Sequence, residues 1–234
     1  MQTKTLHGVY DMTIEFNMEI AVRNIIACRR RAKPQDVAHG IAWYAEAYEE
    51  CRTIAERYDL PVCVVAGVVA ALSPNNRWSI NIKNAADLIN AFWNGCTMDS
   101  VSVSTYSAMK RKAWYILEQN VLFDSDDRLY KWTENDSTQE EIKAILNGRK
   151  IVCFYENIMG EDTCTIDGHA RNIAYNERVN LTDNKTNIGV KEYANLQEAY
   201  RQAAKRCTVN GRRFKAYELQ AVTWVTWRKQ HGIA

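Results

Sequence analysis

Apolar positions along the chain recur mostly at helical spacing, and strict alternation is rare. Ile14 to Arg31 reads as a helix ending in the basic run Arg29-Arg30-Arg31, cations that suit the C-terminal end of a helix dipole. Pro34-Gln35-Asp36 restarts the chain. Ile41, Tyr44, Ala45, Tyr48, Cys51, Ile54, Ala55 and Tyr58 then mark the buried stripe of a second helix. Leu60 to Leu72 is valine-rich and by period alone fits a strand or a buried helix. No second run of its kind exists to pair with it, so a buried helix ending at Ser73-Pro74 is expected. A loop, Asn75-Asn76-Arg77-Trp78, leads into an amphipathic helix, Ser79 to Trp93. Tyr106 to Gln119 is a helix with a basic face, and Glu140 to Leu146 a short one. Glu192 to Cys207 and Ala216 to Gln230 close the chain, after a polar, loop-like stretch from Asn176 to Val190.

The chain's chemistry concentrates between Leu146 and Tyr175, LNGRKIVCFYENIMGEDTCTIDGHARNIAY. A polar turn, Asn147-Gly148-Arg149-Lys150, opens a short apolar helix. A break at Gly160-Glu161-Asp162-Thr163 follows, and Thr165-Ile166-Asp167-Gly168-His169 then enters another helix. Asp167 sits at a loop-to-helix junction, with Gly168 beside it to admit a ligand or a neighbouring backbone. Lys150 precedes it by one helix and a loop. Two readings stand side by side here. Asp167 is an ordinary N-cap and Gly148-Arg149-Lys150 a solvated corner, or carboxylate and amine share a cleft.

Composition narrows the class. The 234 residues suit one large domain or two small lobes, and 47% hydrophobic content supports a real core. With 10 Gly and 3 Pro, a turn-rich all-β chain is excluded. Net charge is +2, too mild to announce a nucleic-acid partner, although a basic face fits within it. Seven cysteines show no zinc or iron–sulfur spacing, so buried thiols are expected and no metal or cofactor. No signal-peptide core is visible near the start. The longest apolar run is shorter than the roughly 20 residues a bilayer requires. A cytoplasmic protein, with no membrane partner, is the expectation. Trp224 and Trp227 in the last helix are expected to pack between lobes, with indole nitrogens that need partners.

Four segments in order resemble helix-hairpin-helix (HhH-GPD) DNA glycosylases of the endonuclease III group. VVAGVVAALSPNNRWSINIKNAADLI resembles that family's buried helix, its Leu-Ser-x-Gln turn and the helix after it. STYSAMKRKAWYILE resembles the Tyr-x-x-Lys-Ala helix, LNGRK the end of the hairpin, and TIDGHARNI the aspartate segment. The likeness spans about residues 62 to 175. It implies an all-α, two-lobed fold with a central DNA-binding cleft. One lobe is a helical barrel over 61–164, and the other joins 1–60 to 165–234.

By the same resemblance, Asp167 takes the part of the catalytic aspartate. Lys150 matches the lysine that forms a Schiff base with the sugar C1′ in lyase-competent members. Breaking an N-glycosidic bond builds positive charge on the sugar, which a fixed carboxylate stabilises. A base must leave the stack to be reached. Asn75 is the expected plug, with Asn76 beside it in the same loop, and Arg77 or Trp78 wedges the strand. Gly148, Arg149 and the helix N-terminus behind them are expected to hold a phosphate, and Lys112 lies on the basic helix facing DNA. His169 is expected in capping or packing, and Arg171 pairs with a phosphate or a carboxylate.

The departures are specific. The family's Leu-Pro-Gly-Val-Gly-Arg-Lys is here Ile145-Leu146-Asn147-Gly148-Arg149-Lys150, and the C-terminal four-cysteine iron–sulfur motif is missing. Such drift matches divergent members carried by small phages; if phage-encoded, the protein is expected in the host cell's cytoplasm. The expected activity is excision of a damaged or modified base. The alternatives are a transferase that hypermodifies a pyrimidine on the same fold, or a DNA-binding module without catalysis.

Overall fold

The computed structural model describes residues 16–120, 122–123, 129–130 and 136–233. Among them the chain forms ten α-helices and two minimal hairpins, so it is an all-α protein. The expected helix start at Ile14 lies outside the described residues. Helix α1 (Met18–Arg30) opens on Asn17, whose Oδ1 accepts from the Ile20 amide at 3.0 Å. Helix α2 (Pro34–Arg57) starts on the proline, and Asp36 Oδ2 accepts from the Lys33 amide at 3.1 Å.

Helix α3 (Val62–Leu72) settles the strand-or-helix ambiguity. Every residue after Val62 is buried, and the helix packs against five others: α2, α4 (Trp78–Trp93), α5 (Ser107–Asn120), α6 (Asp136–Leu146) and α7 (Arg149–Ile158). A helix apolar on all sides is stable only when wrapped by others. Helix α6 begins four residues before the expected Glu140, within the polar Asp136–Gln139 segment that apolar spacing leaves unmarked.

The rest is α8 (Gly168–Tyr175), α9 (Val190–Arg206) and α10 (Ala216–Gln230). Strand β1 (Leu122–Phe123) pairs antiparallel with β2 (Leu129–Tyr130), and β3 (Thr208–Val209) with β4 (Arg212–Arg213). The second hairpin turns on Asn210 and Gly211, both at positive φ, which an Asn-Gly pair adopts readily.

Buried side chains gather into two clusters. One surrounds α3 and takes in Tyr44 to Tyr58 of α2 with α4 to α7. The other joins α1, α8, α9 and α10. Helices α2 and α10 touch both and cross closely at Gly40, where a Cβ would stand 2.5 Å from the Val222 Cα. Only glycine permits that approach. Lys229 Nζ on α10 donates to Asp36 Oδ1 at 2.8 Å and ties the helices again at their ends.

Candidate functional site

Asp167 is positioned by the segment that precedes it. After α7 the chain runs without regular secondary structure from Thr163 to Ile166, and buried Asn157 pins it. Asn157 Nδ2 donates to Thr163 Oγ1 at 2.9 Å and to the Glu161 carbonyl at 3.1 Å, and its Oδ1 accepts from Thr165 Oγ1 at 2.8 Å. From α9, Gln197 Nε2 donates to the Cys164 carbonyl at 2.9 Å, and Tyr193 OH accepts from the Ile166 amide at 3.1 Å. This irregular segment thus has its buried polar groups satisfied by side chains. The result is a fixed platform for the next residue.

Asp167 then caps α8. Its Oδ1 accepts from the Ala170 amide at 2.7 Å, while Oδ2 accepts from Trp224 Nε1 of α10 at 3.0 Å. The expected indole partner for Trp224 is therefore the aspartate itself, a pairing no sequence spacing reveals. The N-cap reading holds, and the carboxylate is also fixed from a second side.

The Asp167 charge acts on Arg228 and His169. The Arg228 guanidinium lies 4.2 Å over the Trp224 ring. Burial holds Arg228 below its ordinary pKa; the Asp167 charge opposes that and Arg77 adds to it. His169 is buried and meets Trp224 edge-on at 6.3 Å, and its Nδ1 has no hydrogen-bond partner. Burial lowers its pKa. Asp167 opposes the shift, and Arg228, Lys150 and His231 reinforce it. Asp167, Arg228 and Lys150 thus all act on His169, while Arg77 acts on Arg228.

Helix α6 passes to α7 through two residues only, Asn147 at positive φ and Gly148 extended. Arg149 and Lys150 are exposed in the first turn of α7, where no acidic residue and no capping side chain stands. Two cations at the positive end of a helix dipole oppose it, a conflict that a bound anion would relieve. Lys112 has another task. Its Nζ donates to the Leu146 carbonyl at the end of α6, so it braces the turn from behind.

The other expected contacts divide. Arg77 is exposed at the N-cap of α4, and Asn75, at positive φ, donates to Tyr106 OH. Asn76 Nδ2 faces inward to the Leu72 carbonyl at 3.3 Å and Asn84 Oδ1 at 3.4 Å, bracing the loop. Trp78 Nε1 donates to Glu50 Oε1 at 3.0 Å, and its ring lies 5.0 Å from Trp43 and 6.4 Å from Phe154. Arg171 is buried with Glu192 at 3.3 Å and Glu177 at 3.5 Å, its guanidinium 4.3 Å over the Tyr175 ring. Of the two expected partners, carboxylates take it. Gly168 makes room for the loop after α8: a Cβ there would lie 2.5 Å from Leu181 Cδ2.

Sequence reading missed Trp43, Phe154 and Trp224 as members of the site. Trp43, Trp78 and Phe154 come from α2, α4 and α7 to form one half-buried aromatic group. Tyr44 joins it, 4.8 Å from Trp43 and 6.2 Å from Phe154, and the Asp167 charge reaches Tyr44. Phe154 lies one turn from Lys150 on α7, which is the one spacing that links it to the expected site.

Among the described residues no group of His, Cys, Asp and Glu is placed to hold a metal ion, and no helix is long and apolar enough to cross a membrane. Comparison with curated proteins and with solved structures finds no match. A family model matches residues 9–231, nearly the whole chain, and the protein therefore belongs to the DUF7178 family, a family of unknown function.

Proposed function

We propose that the protein is a DNA-acting enzyme of helix-hairpin-helix glycosylase type, which draws a damaged or modified base out of the stack and cleaves its N-glycosidic bond with Asp167. The observation that carries this reading is a carboxylate held at both oxygens, by the Ala170 amide and by Trp224 Nε1, with the Arg228 guanidinium over the same Trp224 ring. A plain N-cap needs one oxygen. Supporting it are the two-residue α6–α7 turn and the two hydrophobic clusters, which suit lobes on either side of a cleft.

The chemistry follows from these groups. As the C1′–N bond breaks, its electron pair leaves with the base and positive charge grows on the sugar. Asp167 stabilises that charge while water adds to C1′, and the water's proton passes to the departing base. The cations around it meet the strand's phosphates. Arg77 stands at the rim, and the Trp43–Trp78–Phe154 rings offer a face on which an extruded base stacks. Lys150 is exposed, so a lyase step through its amine relies on the substrate to exclude water from it.

The test is mass spectrometry of nucleosides and released bases after incubation with DNA bearing common lesions and phage-type modified bases. A freed base with an abasic site is expected, lost in Asp167→Asn while DNA binding remains. An altered base still joined to its sugar would move the assignment to a transferase on the same fold. Undiminished turnover by Asp167→Asn would refute the site.

A further inference from the structure

The run Arg29-Arg30-Arg31 has a second setting beyond ending α1. The turn from α1 to α2 packs beside the β3–β4 hairpin, and a groove of about 400 Å³ lies between them, with Ala32, Pro34, Val37 and Ile41 along its floor. Charges from both sides converge there, for Arg29, Arg30 and Arg213 all act on Cys207 at the base of the hairpin. Arg30, Arg31, Lys33 and Arg213 are exposed.

The acids nearby are already engaged. Glu19 holds Arg206 at 2.7 Å, Glu218 holds Arg212 at 2.7 Å, and Asp36 holds Lys229 at 2.8 Å. Among the described residues, Arg30 and Arg213 form no ion pair. In a chain whose net charge is only +2, a corner where these carboxylates are engaged and Arg30, Arg31 and Arg213 are exposed is a concentration of charge, while Arg29 lies 5.4 Å over the Phe214 ring. Repulsion between neighbouring cations opposes what Arg29 and Arg30 gain at the C-terminal end of α1. Guanidiniums bind phosphate oxygens through two parallel hydrogen bonds.

We infer that this corner, with exposed Arg30 and Arg31 at the end of α1 and exposed Arg213 on the hairpin, is a docking surface for the phosphodiester backbone of a nucleic-acid strand. It is a separate surface from the Asp167 site, and its contacts carry no sequence information. The Arg31 charge acts on His231 and that of His231 on His169. An acidic polypeptide offers separated charges on a mobile chain, whereas evenly spaced phosphates match cations spread over two rigid elements.

The experiment is fluorescence anisotropy of a labelled DNA duplex and a labelled single strand, titrated with the full chain over a series of salt concentrations. Arg30→Gln/Arg213→Gln is compared with wild type and with Lys83→Gln, a distant exposed residue paired with Asp87. Circular dichroism checks that each variant is folded. Losing two phosphate contacts should flatten the slope of log affinity against log salt by about 1.4–1.8 and weaken binding equally for unrelated sequences. Lys83→Gln should match wild type. An unchanged slope in the double variant overturns this inference and leaves the glycosylase reading standing. A wild-type chain that binds neither the duplex nor the single strand overturns both.

Discussion

The bond between Trp224 and Asp167 is the contact on which the site's geometry rests, and its strength can be measured without knowing the substrate. Asp167→Ala removes the α8 N-cap, at a cost of about 1 kcal/mol. It also leaves the half-buried Trp224 N–H without its acceptor, a further cost of about 1–3 kcal/mol. For a chain of this size the loss of roughly 2–4 kcal/mol corresponds to a fall in Tm of about 5–15 °C. Trp224→Phe keeps most of the ring beneath Arg228 and against His169 but deletes the donor to a charged acceptor, worth about 1.5–3 kcal/mol. Since each change breaks the same bond, the double variant should cost less than the sum, with a coupling of about 1–2 kcal/mol. Urea titrations followed by circular dichroism give all four corners of the cycle. Additivity within about 0.5 kcal/mol would mean that the two side chains do not act on each other, and the reasoning about a carboxylate fixed from two sides would fall.

Three further outcomes are expected. Arg171→Met should destabilise the fold by about 2–4 kcal/mol, because Glu177 and Glu192 lose their buried partner, with the salt dependence of DNA binding unaltered. A flattened salt slope in a variant of native stability would instead make Arg171 a phosphate ligand. Burial holds the folded pKa of His169 below 6.5, so the unfolded chain takes up that proton first as pH falls. Stability is full above pH 6.5 and declines below it. His169→Gln should reduce the drop in urea midpoint between about pH 7.5 and pH 5.5, the lowered His231 accounting for some of the remainder, and an unreduced drop would exclude His169 as a source. Among the seven thiols, exposed Cys96 should react first with a thiol reagent at neutral pH, because burial raises Cys28 to about 11 and Cys51 to about 12. Peptide mapping that found Cys28 or Cys51 labelled as fast would contradict their burial.

The all-α class and most helices were legible from apolar spacing, since a helix's buried stripe is a local pattern. The Asp167 cap was legible for the same reason: an N-cap and its amide lie three residues apart. The buried α3 required an argument by elimination, because an all-apolar run shows no period. Arg171 shows the limit at close range. Its residue type permits phosphate or carboxylate, and only the packing of α8 against α9 and the loop brought Glu192 and Glu177 to it. What tertiary structure alone decided is the site's company. Trp224 lies 57 residues from Asp167, and Trp43, Trp78 and Phe154 stand on three different helices, so no local pattern joins them. The sequence determined which segments coil and where they stop. The docking of those segments against two shared cores decided which charges and rings face each other, because that choice depends on distances through space that spacing along the chain does not encode.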